Sequence, residues 1–257
     1  MDIMTTTVYD RINKQVACDS RWSVDLTQHG YTGHILYVDD TGFEKIANRG
    51  DFAMVVAGNG GLIQRWKEWW SSEALEQMHP PVVLPTGQCI SLYIVQKSKN
   101  KVIFDKGHKL AALNADTNEI EAVFSGSGGN HAANDWFSFH DSKNAVEFAK
   151  QNDFYTGGTV RYVEFETDTH NLQDELMSFD LVVHSILNKG RIMDTKNPHL
   201  EHVAITADEV AHVRQMVING SITPCAPTGK DTTDWDENSK GRLLDAIKYI
   251  QDAESAI

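Results

Sequence analysis

Thr5-Thr6-Thr7 stands near the start of this 257-residue chain, behind four residues that end in Met4. A threonine that becomes the first residue of a chain holds a hydroxyl nucleophile and a free amine together. That amine serves as the base, so no separate histidine is needed. The stretch from Thr5 to Arg21 reads as a β-hairpin. With its turn centred on Ile12, Thr7 lies opposite Ala17 and Thr5 opposite Asp19, while Thr6 and Val8 take the other face. Asp19 is then placed to orient and electrostatically support Thr5, and Thr6 points away. The plain alternative is a Thr-rich strand, since threonine is a common β-former, with an exposed turn acid.

Positioning such a pair takes a sheet scaffold, and the chain supplies strand and helix signals in a telling order. Trp22 to Thr41 reads as a polar loop containing a short Ile35–Val38 strand, and Phe43 to Ile46 as another short strand. Phe52 to Ala57 is a continuous apolar run, the mark of a strand buried on both faces. It breaks at Gly58, and Leu62, Ile63, Trp66, Trp69 and Trp70 follow at helical spacing. The tryptophans suit core packing or a subunit interface. Strands follow at Cys89–Val95, Val102–Phe104 and Ala122–Phe124, helices at His131–Trp136 and Ser142–Lys150, and a strand at Thr159–Thr167. This order predicts an α+β fold of antiparallel sheets covered by helices rather than alternating βαβ units. Beyond about residue 170 the pattern turns helical. Leu172 to Leu187 has helical spacing, Thr206 opens a capping box, and a last amphipathic helix starts at Ser239. The division expected is a short segment 1–4, a core 5–170 and a helical extension 171–257.

A formal charge of -13 argues against nucleic-acid or anionic-membrane partners, which select basic surfaces. Three widely spaced cysteines, Cys18, Cys89 and Cys225, suggest neither a disulfide framework nor a zinc site. Without a transmembrane-length run or signal-peptide core, the expected compartment is cytoplasmic. His199-x-x-His202 lacks a third metal ligand, and Thr228-Gly229-Lys230 lacks the spacing of a phosphate loop, so no metal or cofactor is expected.

Taken singly, Lys45 reads as a solvated strand residue, Gly58 as a turn, Ser127 as a helix cap and Asp153 as a turn cap. Their order is what carries information. From Thr5 to Thr167 the chain resembles the proteasome β-type N-terminal-nucleophile (Ntn) hydrolases, including the bacterial ATP-dependent ring peptidases. Thr-Thr-Thr-Val matches their mature start, Asp19-Ser20-Arg21 their Asp-Ser-Arg, and Ser23 the position of a substrate-binding threonine. Lys45 matches their active-site lysine, and Ala57-Gly58 the segment whose glycine N–H faces the tetrahedral intermediate. Gly126-Ser127-Gly128 and Asp153-x-x-Thr156-Gly157-Gly158 match two further motifs, the second with threonine in place of serine.

The resemblance implies an Ntn αββα sandwich and a catalytic set of Thr5, Asp19, Lys45, Gly58, Ser127, Asp153 and Thr156, with Arg21 and Ser23 on the substrate side. Lysine beside the threonine hydroxyl favours the alkoxide, aspartate holds the lysine, and the last three side chains tune the amine. It further implies threonine-type endopeptidase activity through an acyl-enzyme, with a peptide or unfolded-protein substrate. A homo-oligomeric ring and an ATP-dependent unfoldase partner go with it. Two other readings stand beside this one. A catalytically silent scaffold subunit follows if residues 1–4 are retained, and a small-amide Ntn hydrolase would use the same fold. The hairpin is shorter than the family's usual one, and the family assigns no site to the 171–257 segment.

Overall fold

The buried run beginning at Phe52 becomes the central strand of the larger of two sheets. In this computed structural model the described residues are 5–73, 75, 78–85, 87, 89–107, 109–173, 178–226 and 236–255. In chain order the first strands are β1 (Thr7–Asp10), β2 (Gln15–Cys18), β3 (Trp22–Asp25), β4 (His34–Val38), β5 (Ile46–Arg49) and β6 (Phe52–Asn59). Helix α1 (Gly60–Trp70) precedes β7 (Ile90–Gln96), β8 (Lys101–Lys106), β9 (Lys109–Leu113) and β10 (Ile120–Ser125). Then come α2 (Gly129–Phe139), α3 (Ser142–Asn152), β11 (Arg161–Glu164), α4 (Asp180–Lys189), β12 (Arg191–Asp194) and β13 (Val203–Ala204). The last elements are α5 (Ala211–Ile218), β14 (Cys225–Ala226) and α6 (Glu237–Glu254).

The strands form an α+β fold with a five-stranded sheet, β11-β2-β1-β10-β9, and a nine-stranded sheet, β13-β12-β4-β3-β14-β6-β7-β8, with β5 also on β6. Every strand pairing in both is antiparallel. Period-two alternation sorts the side chains into layers. Tyr9, Val16, Cys18 and Val123 of the smaller sheet share one core with Ala53, Val55, Tyr93 and Val95 of the larger. Their neighbours point the other way. Val8, Ala17 and Phe124 pack with Trp136, Val146 and Ala149 of α2 and α3. Met54, Val56, Leu92 and Ile94 pack with Trp66 of α1, Val182 of α4, Val213 of α5 and Ile247 of α6. Trp66, Trp69 and Trp70 all lie in this last core, so packing within the chain accounts for their burial.

Several expectations need correction. The Trp22–Thr41 stretch is not chiefly loop, because β3 and β4 pair along it from Trp22↔Val38 to Asp25↔Ile35. Polar residues mask these strands, since the inward Val24 and Leu36 alternate with Ser23 and Tyr37. Lys45 does not lie within a strand; β5 begins after it, at Ile46. The 171–257 segment is not purely helical, because β12, β13 and β14 all extend the nine-stranded sheet. Such short strands carry too little periodicity to read. Thr206 does not cap α5; a 3-10 turn at Asp208–Val210 intervenes, and no side chain caps either piece. The last helix starts at Glu237, with the Asp236 side chain accepting from Ser239 N at 2.7 Å.

The hairpin register also differs by one residue. Thr7 pairs with Cys18 and Asp10 with Gln15, so Asp19, expected opposite Thr5, is shifted to the position opposite Thr6. The reason is a four-residue turn, in which Asp10 Oδ1 accepts from Ile12 N at 2.9 Å and Asn13 N at 3.1 Å and Lys14 takes a φ of 54°. An Asx turn of this kind fixes hairpin register locally.

Candidate active site

Asp19 nevertheless meets Thr5, because both leave the regular pleat. β1 starts at Thr7 and β2 ends at Cys18, so strict alternation no longer governs either side chain. The Asp19 carboxylate gathers five donors. Its Oδ1 accepts from the Thr5 hydroxyl, from Lys45 Nζ at 2.7 Å and from Thr6 N at 3.0 Å. Its Oδ2 accepts from Arg21 N at 3.1 Å and Gly157 N at 3.0 Å. That uses its acceptor capacity fully and fixes its orientation. Lys45 Nζ also donates to Thr5 Oγ1, closing a triangle of hydroxyl, ammonium and carboxylate. Thr5 and Asp19 are 0% exposed and Lys45 is 1% exposed, so these charges act in a low-dielectric interior.

Lys45 reaches this point because of how β6 is edged. β5 covers β6 only from Phe52 to Val55, and β14 covers it at Gly58 and Asn59. Between the two, Val56 N donates to Lys45 O at 2.9 Å, anchoring the lysine backbone just ahead of β5.

A second cluster lies behind the first. Asp153 Oδ2 accepts from the Ser127 hydroxyl and from Thr156 Oγ1 at 2.5 Å, and its Oδ1 accepts from Tyr155 N at 3.2 Å. Burial raises the Asp153 pKa; the bonds from Ser127 and Thr156 oppose that shift, and the Asp19 charge adds to it. The Thr156 hydroxyl also lies 2.7 Å from Thr6 Oγ1. This cluster therefore reaches the threonine run through the Thr6 side chain. The resemblance had implied a link to the amine of Thr5.

The other expected residues divide by placement. Arg21 turns its guanidinium to Asp39, with two bonds of 2.8 Å, and to Phe154 O at 2.7 Å. A bidentate pair of this kind is a structural clamp. Only its backbone N–H joins the Asp19 cluster. Ser23 is buried in β3 opposite Cys225, and its hydroxyl has no hydrogen-bond partner among the described residues. Gly58 has a φ of +128° and lies between Ile90 of β7 and Ala226 of β14. A Cβ there would come 2.3 Å from Cys89 O, so only glycine fits. His202 spends its ring nitrogens on Tyr37 Oη at 2.7 Å and Pro198 O at 3.0 Å. Among the described residues no group of three metal-ligating side chains converges, and no helix is long and apolar enough to cross a membrane.

Four contributors stand outside the expected set: Gly126, Gly157, Cys225 and Ala226. Gly126, with a φ of +89°, brings the β10–α2 loop so close that a Cβ would sit 1.7 Å from Thr5 O and 3.2 Å from Thr5 N. Gly157 holds Asp19 through its backbone N–H. Both glycines lie inside motifs noticed for their serine and threonine, so the signal was there. Cys225 and Ala226 carried none.

Chemically, the first cluster can stabilise an oxyanion on Thr5: the ammonium supplies opposite charge and the carboxylate fixes the ammonium. Residues 1–4 lie outside the described residues. No protein-family model and no curated protein matches the chain.

Proposed function

We propose that this chain is an Ntn hydrolase of proteasome β type, an N-terminal threonine peptidase acting through Thr5. The observation that carries the reading is the buried contact of the Thr5 hydroxyl with both Lys45 and Asp19. The two facing sheets with helices on their outer sides suit the αββα sandwich of that family.

In the proposed reaction Thr5 Oγ adds to a peptide carbonyl as its proton passes to the Thr5 amine, freed by loss of residues 1–4. The Lys45 ammonium stabilises the developing charge on Oγ. The Gly58 N–H receives the oxyanion, an effect commonly worth about 3–4 kcal/mol. The amine then protonates the leaving nitrogen, the C–N bond breaks, and an ester on Thr5 remains. Water hydrolyses it by the reverse sequence of proton transfers. A homo-oligomeric ring and an ATP-driven unfoldase are the partners this reading brings with it.

One observation favours a second reading, a silent scaffold subunit: Thr5 is fully buried. Mass spectrometry under active-assay conditions separates the two. A chain that starts at Thr5 and takes up a threonine-reactive covalent inhibitor there supports the peptidase. A chain retaining residues 1–4 and no adduct supports the scaffold. A panel of peptide and small-amide substrates then tests whether peptide bonds are the preferred target.

A further inference from the structure

The nine-stranded sheet contains one strand that comes from far away in sequence and is only two residues long. β14 lies between β3 and β6 and runs antiparallel to both. β3 and β6 therefore run parallel to each other, separated by one strand's width. Without β14 they leave an open slot roughly 10 Å across, the space of one extended chain.

The register gives the slot its meaning. Cys225 pairs with Ser23 on one side and with Asn59 on the other, and Ala226 pairs with Gly58. Ser23 and Gly58 are the positions to which the resemblance gives substrate binding and the oxyanion. Cys225 Sγ also contacts Ser23 O at 3.6 Å. Burial pushes its thiol up to about 12, and the nearby Lys45 ammonium pulls the other way, so this strand lies within electrostatic reach of the Thr5 cluster.

We infer that Cys225–Ala226 is a built-in plug, a strand that occupies the substrate slot between β3 and β6 and must leave before an extended peptide can enter. The inference rests on the peptidase reading for the slot's purpose, but the plug can be tested without it.

The design suits displacement. Two residues form few ladder hydrogen bonds, whereas the neighbouring β6–β7 ladder runs from Phe52 to Gly58. An incoming peptide remakes the same backbone bonds by strand addition. The anchor lies just upstream: Ile222 is buried in the helix-side core, and its N–H donates to Met216 O at 3.1 Å. Ala226 is fully buried in that same core, so displacement must withdraw its methyl as well as break the ladder bonds, while Ile222 holds the base.

Two readouts test this. The first is the rate at which a peptide vinyl sulfone labels Thr5. Ala226→Pro, which removes a backbone donor and unseats the strand, should raise that rate tenfold or more over the unmodified chain. Ser23→Cys gives Cys225 a disulfide partner directly opposite. Its oxidised form should label at least tenfold more slowly than the same protein reduced. Equal rates in both comparisons overturn the plug.

The second readout does not involve Thr5 and uses the unmodified chain, so it holds if Ala226→Pro fails to fold. Iodoacetamide alkylation of Cys225, located by peptide mapping with buried Cys18 as the internal control, is measured at pH 8. The saturated, unreactive form of the same peptide is added at saturation. A displaced Cys225 regains an ordinary thiol pKa near 8.5, so alkylation should accelerate tenfold or more in the unmodified chain and in Thr5→Ala alike. No acceleration overturns the plug even if Thr5 labels. Acceleration without any Thr5 labelling overturns the peptidase reading and leaves the plug standing.

Discussion

Lys45 and Asp19 form an ion pair with almost no solvent contact, and that sets what their substitution should do. Removing the lysine leaves a buried carboxylate without its counter-charge, a loss of about 3–5 kcal/mol. For a chain of this size, about 3 kcal/mol lowers the thermal midpoint by roughly 6–12 °C. Lys45→Ala should show that drop, and adding Asp19→Asn should recover part of it in a double-mutant cycle followed by denaturant unfolding. A change below about 0.5 kcal/mol would return Lys45 to the solvated role that its sequence context suggests. Asp153 adds a pH signature. Its folded pKa is raised by burial, so the folded state holds the proton more tightly than the unfolded one. Stability from this group is full below about pH 4, the unfolded value, and is lost as pH rises through the raised folded value. Asp153→Asn cannot titrate, so its thermal midpoint should fall less than the parent's as pH rises above about 4. Parallel curves for the two proteins would contradict the burial argument. None of these energetics is visible in sequence, where a lysine and two aspartates look like ordinary surface residues. Only their order along the chain pointed to a site.

At the level of elements, the long apolar runs were legible and the turns between them were not. Phe52–Ala57 read as a doubly buried strand and is one, and the helical spacing from Leu62 to Trp70 matches α1. The hairpin register failed because Asp10 folds a four-residue turn, a preference local to the turn that hydrophobic alternation does not report. Asp19 still met Thr5 because the pleat had ended. The same limit hid Gly126, whose role depends on backbone approach. Gly126→Ala places a methyl inside contact distance of the Thr5 backbone at a φ of +89°. It should therefore cost about 2 kcal/mol or more of stability and displace the Thr5 hydroxyl, although no catalytic side chain is removed. Unchanged inhibitor labelling and an unchanged thermal midpoint would show that the loop does not set the position of Thr5.

Across the whole molecule, the segment after residue 170 is built into the rest. It supplies three strands to the larger sheet, and Val182, Ile186, Val213, Leu243 and Ile247 pack under that sheet's outer face. Truncation after His170 should yield an aggregating chain without a cooperative thermal transition, since it uncovers β6, β7 and β4 together. A soluble, cooperatively folding fragment would instead mark residues 171–257 as an appendage. The extent of this integration was illegible because β12 and β14 pair with strands more than 130 residues earlier, and β13 is held in turn by β12.

The central claim is that Thr5 is a nucleophile, and covalent modification followed by intact-mass analysis and peptide mapping tests it most directly. The expected result with a threonine-reactive inhibitor is one adduct per chain, on Thr5 of a chain beginning at that residue, and none in Thr5→Ala. The same adduct at the same rate in Thr5→Ala would contradict the account.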